Sequence, residues 1–211
     1  IIIRGENRNG FAIGNYNVST DSHTVTRSAR FYMSGSNVHA SGHIMSLISW
    51  QEEINEIPCD CCFYQLFREC KQLLNGIELP NSCKPYCYFQ LFRQCTNIRW
   101  SPTVVVSHHA VYAYQNLFRE TAIESCPIVF DCDIVDEGQF AYTFYGCKNL
   151  VYIPSILPAE TLALQCYSDM FNGCTSLTQG PELPASTLAD RCYYEMFKGC
   201  ISITSSPVSI F

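Results

Sequence analysis

A nine-residue phrase, Cys-aromatic-x-x-Leu/Met-Phe-x-x-Cys, recurs six times with variations. The first copy reads Cys62-Phe63-Tyr64-Gln65-Leu66-Phe67-Arg68-Glu69-Cys70. The others run Cys87 to Cys95, Ala113 to Thr121, Gln139 to Cys147, Cys166 to Cys174 and Cys192 to Cys200. Their shared phenylalanines, Phe67, Phe92, Phe118, Phe144, Phe171 and Phe197, are 25, 26, 26, 27 and 26 residues apart. A near-constant period of that size predicts units that each cover the apolar face of a neighbour. The expected fold is an α/β solenoid of about six turns, with short helices on one face and a parallel sheet on the other.

Within each period the apolar spacing of the phrase predicts a short helix. An aliphatic residue and a short extended segment follow, as in Leu177 to Pro184, with counterparts starting at Leu73, Ile98, Ile123, Leu150 and Ile203. Proline recurs after it at Pro102, Pro127, Pro154, Pro181 and Pro207, with Ile77 in the first copy. Proline donates nothing to a ladder, so the column predicts strand ends and strands of three or four residues. Residues 1–50 lack the phrase and predict a β-rich N-terminal cap, with residues 51–211 forming the repeat array. Strand-like stretches in the cap are Ile1–Arg4, His23–Arg27, Arg30–Met33 and Val38–Ile48, punctuated by Gly10, Asn15 and Gly35-Ser36-Asn37. Gln51-Glu52-Glu53 is expected as a solvated turn.

Bulk properties exclude some classes. The chain has 211 residues, is 47% hydrophobic and has a formal net charge of −6. Its 13 basic residues are scattered, so nucleic acid is not an expected partner. No apolar run reaches the roughly 18 residues that span a bilayer. Ile1-Ile2-Ile3 is too short for a signal-peptide core, and Ile210-Phe211 falls within a repeat, so the expectation is a portion of a longer protein with its export signal elsewhere.

Fourteen cysteines invite a disulfide framework. Four copies of the phrase hold cysteines eight apart, which in a helix separates them by about 12 Å along the axis, beyond disulfide reach. The reading adopted is small buried apolar side chains. Bridges between equivalent cysteines of adjacent repeats stay sterically open. Cys59-Asp60-Cys61-Cys62 has a metal-like look, but no second CxxC or histidine pair matches it.

The last copies carry a resemblance. The segment from Leu183 through Cys200 resembles the BspA-like, or treponemal-type, leucine-rich repeats, and Cys166–Leu177 matches equally well. Ile3–Asn7 and Ser41–Leu47 are similar to the leader that precedes such arrays. The resemblance implies a right-handed solenoid with parallel strands on one face. It also implies a bacterial protein that is secreted or surface-exposed, some members of the family acting in adhesion. The chain departs from the pattern in its third and fourth copies, where Ala113, Gln139 and Thr121 replace cysteines and His108-His109 and Asp131-Cys132-Asp133 fill the connections.

No hydrolase, zinc-protease, P-loop or dinucleotide fingerprint is present, so the chain is not expected to be an enzyme or to hold a cofactor or metal. His108-His109 predicts a solvated pair. Asp131, Asp133, Asp136 and Glu137 form an acidic loop without the glycine turn and terminal bidentate acid of a calcium site. Candidate ligand contacts are the variable positions after each aliphatic residue: Arg99, Trp100, Glu124, Tyr152 and Gln179. Trp100 and Tyr152 occupy equivalent places two repeats apart, and such aromatics beside an arginine are typical binding anchors. The expectation is a cell-surface module binding a host or matrix protein or glycan through the sheet face. A spacer that displays a neighbouring domain is the other class.

Overall fold

The computed structural model describes residues 10–17, 22–49 and 54–205. It overturns the α/β solenoid. No α-helix forms among the described residues, and the one helical element is a single 3-10 turn, Ile44–Leu47. The strands pair only in twos. β1 (Ala12–Asn17) and β2 (Ser22–Ser28) form an antiparallel ribbon with an irregularity between Ile13 and Gly14. β3 (Val104–Val106) lies parallel to β4 (Ile128–Phe130), and β5 (Ile134–Val135) parallel to β6 (Thr161–Leu162). Most of the chain is turn and coil, so neither the helical layer nor the continuous sheet exists.

Consecutive tight turns replace the helices. In the first copy the N–H groups of Tyr64, Leu66, Arg68 and Cys70 donate to the carbonyls of Cys61, Phe63, Gln65 and Phe67. The intervening N–H groups of Cys61, Phe63, Gln65, Phe67 and Glu69 donate sideways, to the carbonyls of Pro85, Cys87, Phe89, Leu91 and Arg93 in the second copy. The same alternation joins each copy to the next as far as Gly173 and Lys198. Such a path needs a left-handed residue every fourth position. Cys61, Gln65 and Glu69 supply it in the first copy, and Gly138, Tyr142 and Gly146 in the fourth. An α-helix tolerates no such residue, because its N–H groups all point along one axis.

The helical spacing was misleading for a physical reason. Phe63 and Phe67 are four apart, and a four-residue turn unit repeats them on one face as a helix would. Every copy therefore places its two aromatics on two continuous columns. Phe11, Phe63, Tyr88, Tyr114, Phe140, Tyr167 and Tyr193 form one, with successive ring centroids 5.2–6.1 Å apart. Phe31, Phe67, Phe92, Phe118, Phe144, Phe171 and Phe197 form the other, at 5.1–5.9 Å. Phe11 and Phe31 come from two separate stretches before the repeats. Their N–H groups donate to Cys62 and Leu66, so together they imitate a preceding copy.

Other expectations change with the backbone. His23–Arg27 lies within β2, but Asn15 sits inside β1 rather than in a turn. Arg30–Met33 forms no strand, and Val38–Ile48 is coil with bridges at Val38 and His43 leading into the 3-10 turn. Ile1–Arg4, Gln51–Glu53 and Pro207 lie outside the described residues. Pro127 directly precedes β4, and its carbonyl accepts from Val104. Pro102 and Pro127 thus separate one extended segment from the next, where a missing N–H costs nothing.

Two pairs of substitutions test this packing. Phe171 is fully buried between Phe144 and Phe197, whereas Phe197 is only partly covered. Phe171→Ala should cost about 3–5 kcal/mol, Phe197→Ala clearly less, as read from denaturant midpoints. Gly138 has φ +55°, and a Cβ there would fall 2.2 Å from the Tyr112 ring. Gly138→Ala should destabilise, and adding Tyr112→Ala should restore part of the loss in a double-mutant cycle.

Candidate functional site

After each phrase a buried aliphatic residue fixes the chain: Leu73, Ile98, Ile123, Leu150 and Leu177 are all fully buried. The next two residues emerge. Asn75, Trp100, Ser125 and Tyr152 are joined by successive parallel bridges, one residue per repeat. Trp100 and Tyr152 therefore lie two rungs apart, about 10 Å at the usual strand spacing, with the small Ser125 between them. Trp100 is 58% exposed and Tyr152 71%. Arg99 reaches along the same surface to Glu124, with Nη1 3.2 Å from Oε1. Gln179 is exposed on a separate bridge to Ser205. The structure thus gathers Arg99, Trp100, Glu124 and Tyr152 along one run of bridges, and Gln179, the equivalent position in the next copy, belongs to a second run. Arg99 and Trp100 are both exposed, as are Val151 and Tyr152. A one-residue bridge is too short to impose the in-and-out alternation of a strand.

An open groove of about 300 Å³ adjoins Trp100, between residues 40–42, 75–78 and 100–102. Sequence reading did not anticipate it. Asn75 builds one wall: its Oδ1 accepts from Ala40 N–H at 3.1 Å, and its Nδ2 donates to the carbonyls of Ala40 and Gly76. This clamp closes the N-terminal segment onto the first repeat. The groove combines the Trp100 indole, Pro102 and Ile77 with the Glu78 carboxylate and the Ser41 and Ser101 hydroxyls. It suits a ligand with one flat apolar face and polar edges.

The remaining candidates have structural partners. His109 Nδ1 is 3.0 Å from Asp136 Oδ2, and His108 lies against Ser107 and the Asn81 carbonyl. Glu137 accepts from the Tyr112 hydroxyl. Asp136 and Glu137 of the acidic loop thus serve different neighbours, and among the described residues no three His, Cys, Asp or Glu side chains group to hold a metal ion. Gln139 is fully buried; its amide donates to His108 O and accepts from Asp136 N–H. Basic residues that are scattered in sequence do converge: Arg68, Arg93 and Arg119 hold equivalent positions in three successive copies. Burial and the two flanking guanidiniums lower the basicity of Arg93. Glu69 and Glu120 pair with the outer two at 3.0 and 3.2 Å, which leaves this column little net charge. No helix among the described residues is long and apolar enough to cross a membrane.

None of the fourteen cysteines is in a disulfide. The second cysteine of the phrase is more than an apolar filler. Cys95, Cys147, Cys174 and Cys200 donate S–H to the carbonyls of Phe67, Phe118, Phe144 and Phe171 in the preceding copies, at 2.9–3.1 Å. Each thiol supplies a second donor to a buried carbonyl that already takes an N–H from its own turn. Thr121 stands in this column and gives its hydroxyl to Phe118 O at 2.9 Å.

No protein-family model matches the chain, and no curated protein or solved structure matches it.

Burial pushes the Cys147 thiol up to about 11 and the Cys126 thiol up to about 12. A thiol whose folded pKa exceeds its unfolded value of about 8.5 stabilises fully below that value and loses its contribution as pH climbs to the folded one. Urea midpoints should be insensitive to these thiols below pH 8 and fall steeply from about pH 9 to 12. Cys147→Ser with Cys126→Ala should flatten part of that fall.

Proposed function

We propose that the chain is a protein-interaction and adhesion module that works outside the cell, binding through the strip of Arg99, Trp100, Glu124 and Tyr152. The observation that carries this reading is the placement of two large aromatics, mostly exposed, on alternate rungs of one ladder beside a groove with polar edges. Exposed Trp and Tyr on a rigid support lose little entropy on binding and dominate interface energetics. The Arg99–Glu124 pair is solvated and adds orientation rather than stability. The likeness of Leu183–Cys200 to BspA-like repeats supports a surface location. Burial keeps most thiols protonated, so that location does not require them to be bridged.

The test is a screen of the chain against immobilised extracellular-matrix proteins and glycans. Trp100→Ala with Tyr152→Ala should weaken every specific signal by at least about tenfold, with stability within about 1 kcal/mol of the parent. Unchanged signals would place the site elsewhere. A chain that binds nothing on either array would favour the spacer reading.

A further inference from the structure

The first repeat contains a pair of cysteines that none of the other five possesses. Cys59 stands three residues before the opening Cys62 of its phrase. The equivalent positions are Lys84, Ala110, Asp136, Ala163 and Ala189. Cys59 is therefore outside the repeat pattern.

The two sulfurs meet at Gly10. A Cβ built there would lie 2.9 Å from Cys59 Sγ and 3.0 Å from Cys62 Sγ, so any side chain would be driven into the pair. Interaction between the two thiols shifts their pKa values apart, Cys59 down and Cys62 up. The surroundings are unequal. Cys62 is fully buried and pinned through its carbonyl by Phe11 N–H at 2.7 Å, whereas Cys59 is half-buried. Lys84, directly above Cys59 in the next copy, sends Nζ to Pro58 O at 3.3 Å. The hydrogen bond from Cys62, helped by Lys84, lowers the Cys59 pKa against the opposing effects of burial and Asp60. Cys61 faces the other way, buried against Tyr86, with its thiol pushed up to about 12 by burial.

We infer that Cys59 and Cys62 form a redox-active dithiol that exchanges with small or protein disulfides. Cys59, half-buried, is the attacking thiol and Cys62, fully buried, the resolving one. In the first step the Cys59 thiolate attacks one sulfur of a donor disulfide. A Cys59–donor mixed disulfide forms and the other donor sulfur leaves as thiolate. Cys62 then gives up its proton and attacks the Cys59 sulfur, which expels the second donor thiolate. The protein loses two electrons and two protons, and the donor disulfide becomes two thiols. This division of labour needs one accessible low-pKa sulfur with a second in contact. The other five copies hold no cysteine at the position of Cys59. The resulting bridge would close at the seam where Gly10 and Phe11 dock on the first repeat, making that seam sensitive to redox state.

The experiment uses the full reduced chain and glutathione disulfide, quenched by alkylation in denaturant and mapped by peptide mass spectrometry. The parent should lose two hydrogens within the peptide carrying Cys59 and Cys62, while Cys61, Cys95, Cys147 and Cys174 are recovered alkylated. Cys62→Ala should retain glutathione on Cys59. Cys62→Ser serves the same end if the alanine variant does not fold, since a hydroxyl cannot resolve the mixed disulfide. Cys59→Ala should yield neither product. In the folded, reduced chain Cys59 should react with iodoacetamide at least about tenfold faster than Cys147. The inference is overturned if glutathione persists on Cys59 in the parent, if bridging involves Cys61 instead, or if Cys59 alkylates no faster than the buried cysteines.

Discussion

Sideways hydrogen bonding of alternate peptide groups is the constraint on which this molecule depends. In each phrase half of the N–H groups close local turns and the other half donate to the next copy. A buried chain without helix or broad sheet must still satisfy its backbone. Alternation does so with four-residue units that stack on one another. The cost is a left-handed residue in every unit, worth about 1–2 kcal/mol at non-glycine positions. Cys61, Gln65 and Glu69 all bear it in the first copy. Later copies relieve part of it with glycine at 138, 146, 173 and 199. Gly173 packs on Gly146 and Gly199 on Gly173, so relief at one rung also opens room for the next.

Side chains follow from that backbone. Two aromatic columns supply the apolar burial, and their stacking distance is set by the spacing of the hydrogen-bonded copies. The thiol column then adds a donor to carbonyls too deep for water. Cysteine suits this position because it is small and apolar enough for the core yet carries a weak proton donor. Threonine at position 121 departs from the pattern, donating to Phe118 O of its own copy rather than across to the preceding one. The N-terminal segment continues both columns through Phe11 and Phe31, and Asn75 fastens its far end to the first repeat.

The candidate functional groups sit where this order is interrupted. The bridge residues Trp100 and Tyr152 project because single-residue bridges leave both members of each exposed pair outside the core. The groove beside Trp100 lies at the junction of the N-terminal segment with the repeats, and so does the Cys59–Cys62 pair. That junction joins two kinds of chain. Residues there are released from the demands of self-similar stacking and free to carry chemistry.

The sequence by itself determined which residues are equivalent. The spacing of the six phenylalanines assigns Phe67 to Phe92 and Trp100 to Ser125 and Tyr152, and those residues do lie against one another. It also separated the N-terminal segment from the repeats and flagged Arg99, Trp100, Glu124 and Tyr152 as variable positions. Only the tertiary structure decided the backbone. Apolar residues four apart look alike in a helix and in a run of four-residue turns, so periodicity could not choose between them. The choice rests on hydrogen bonds between residues some 25 positions apart in sequence, such as Phe63 to Cys87. The close spacing of Cys59 and Cys62 is visible in the sequence, but the approach of Gly10 to the pair is not, because a docking surface makes that contact.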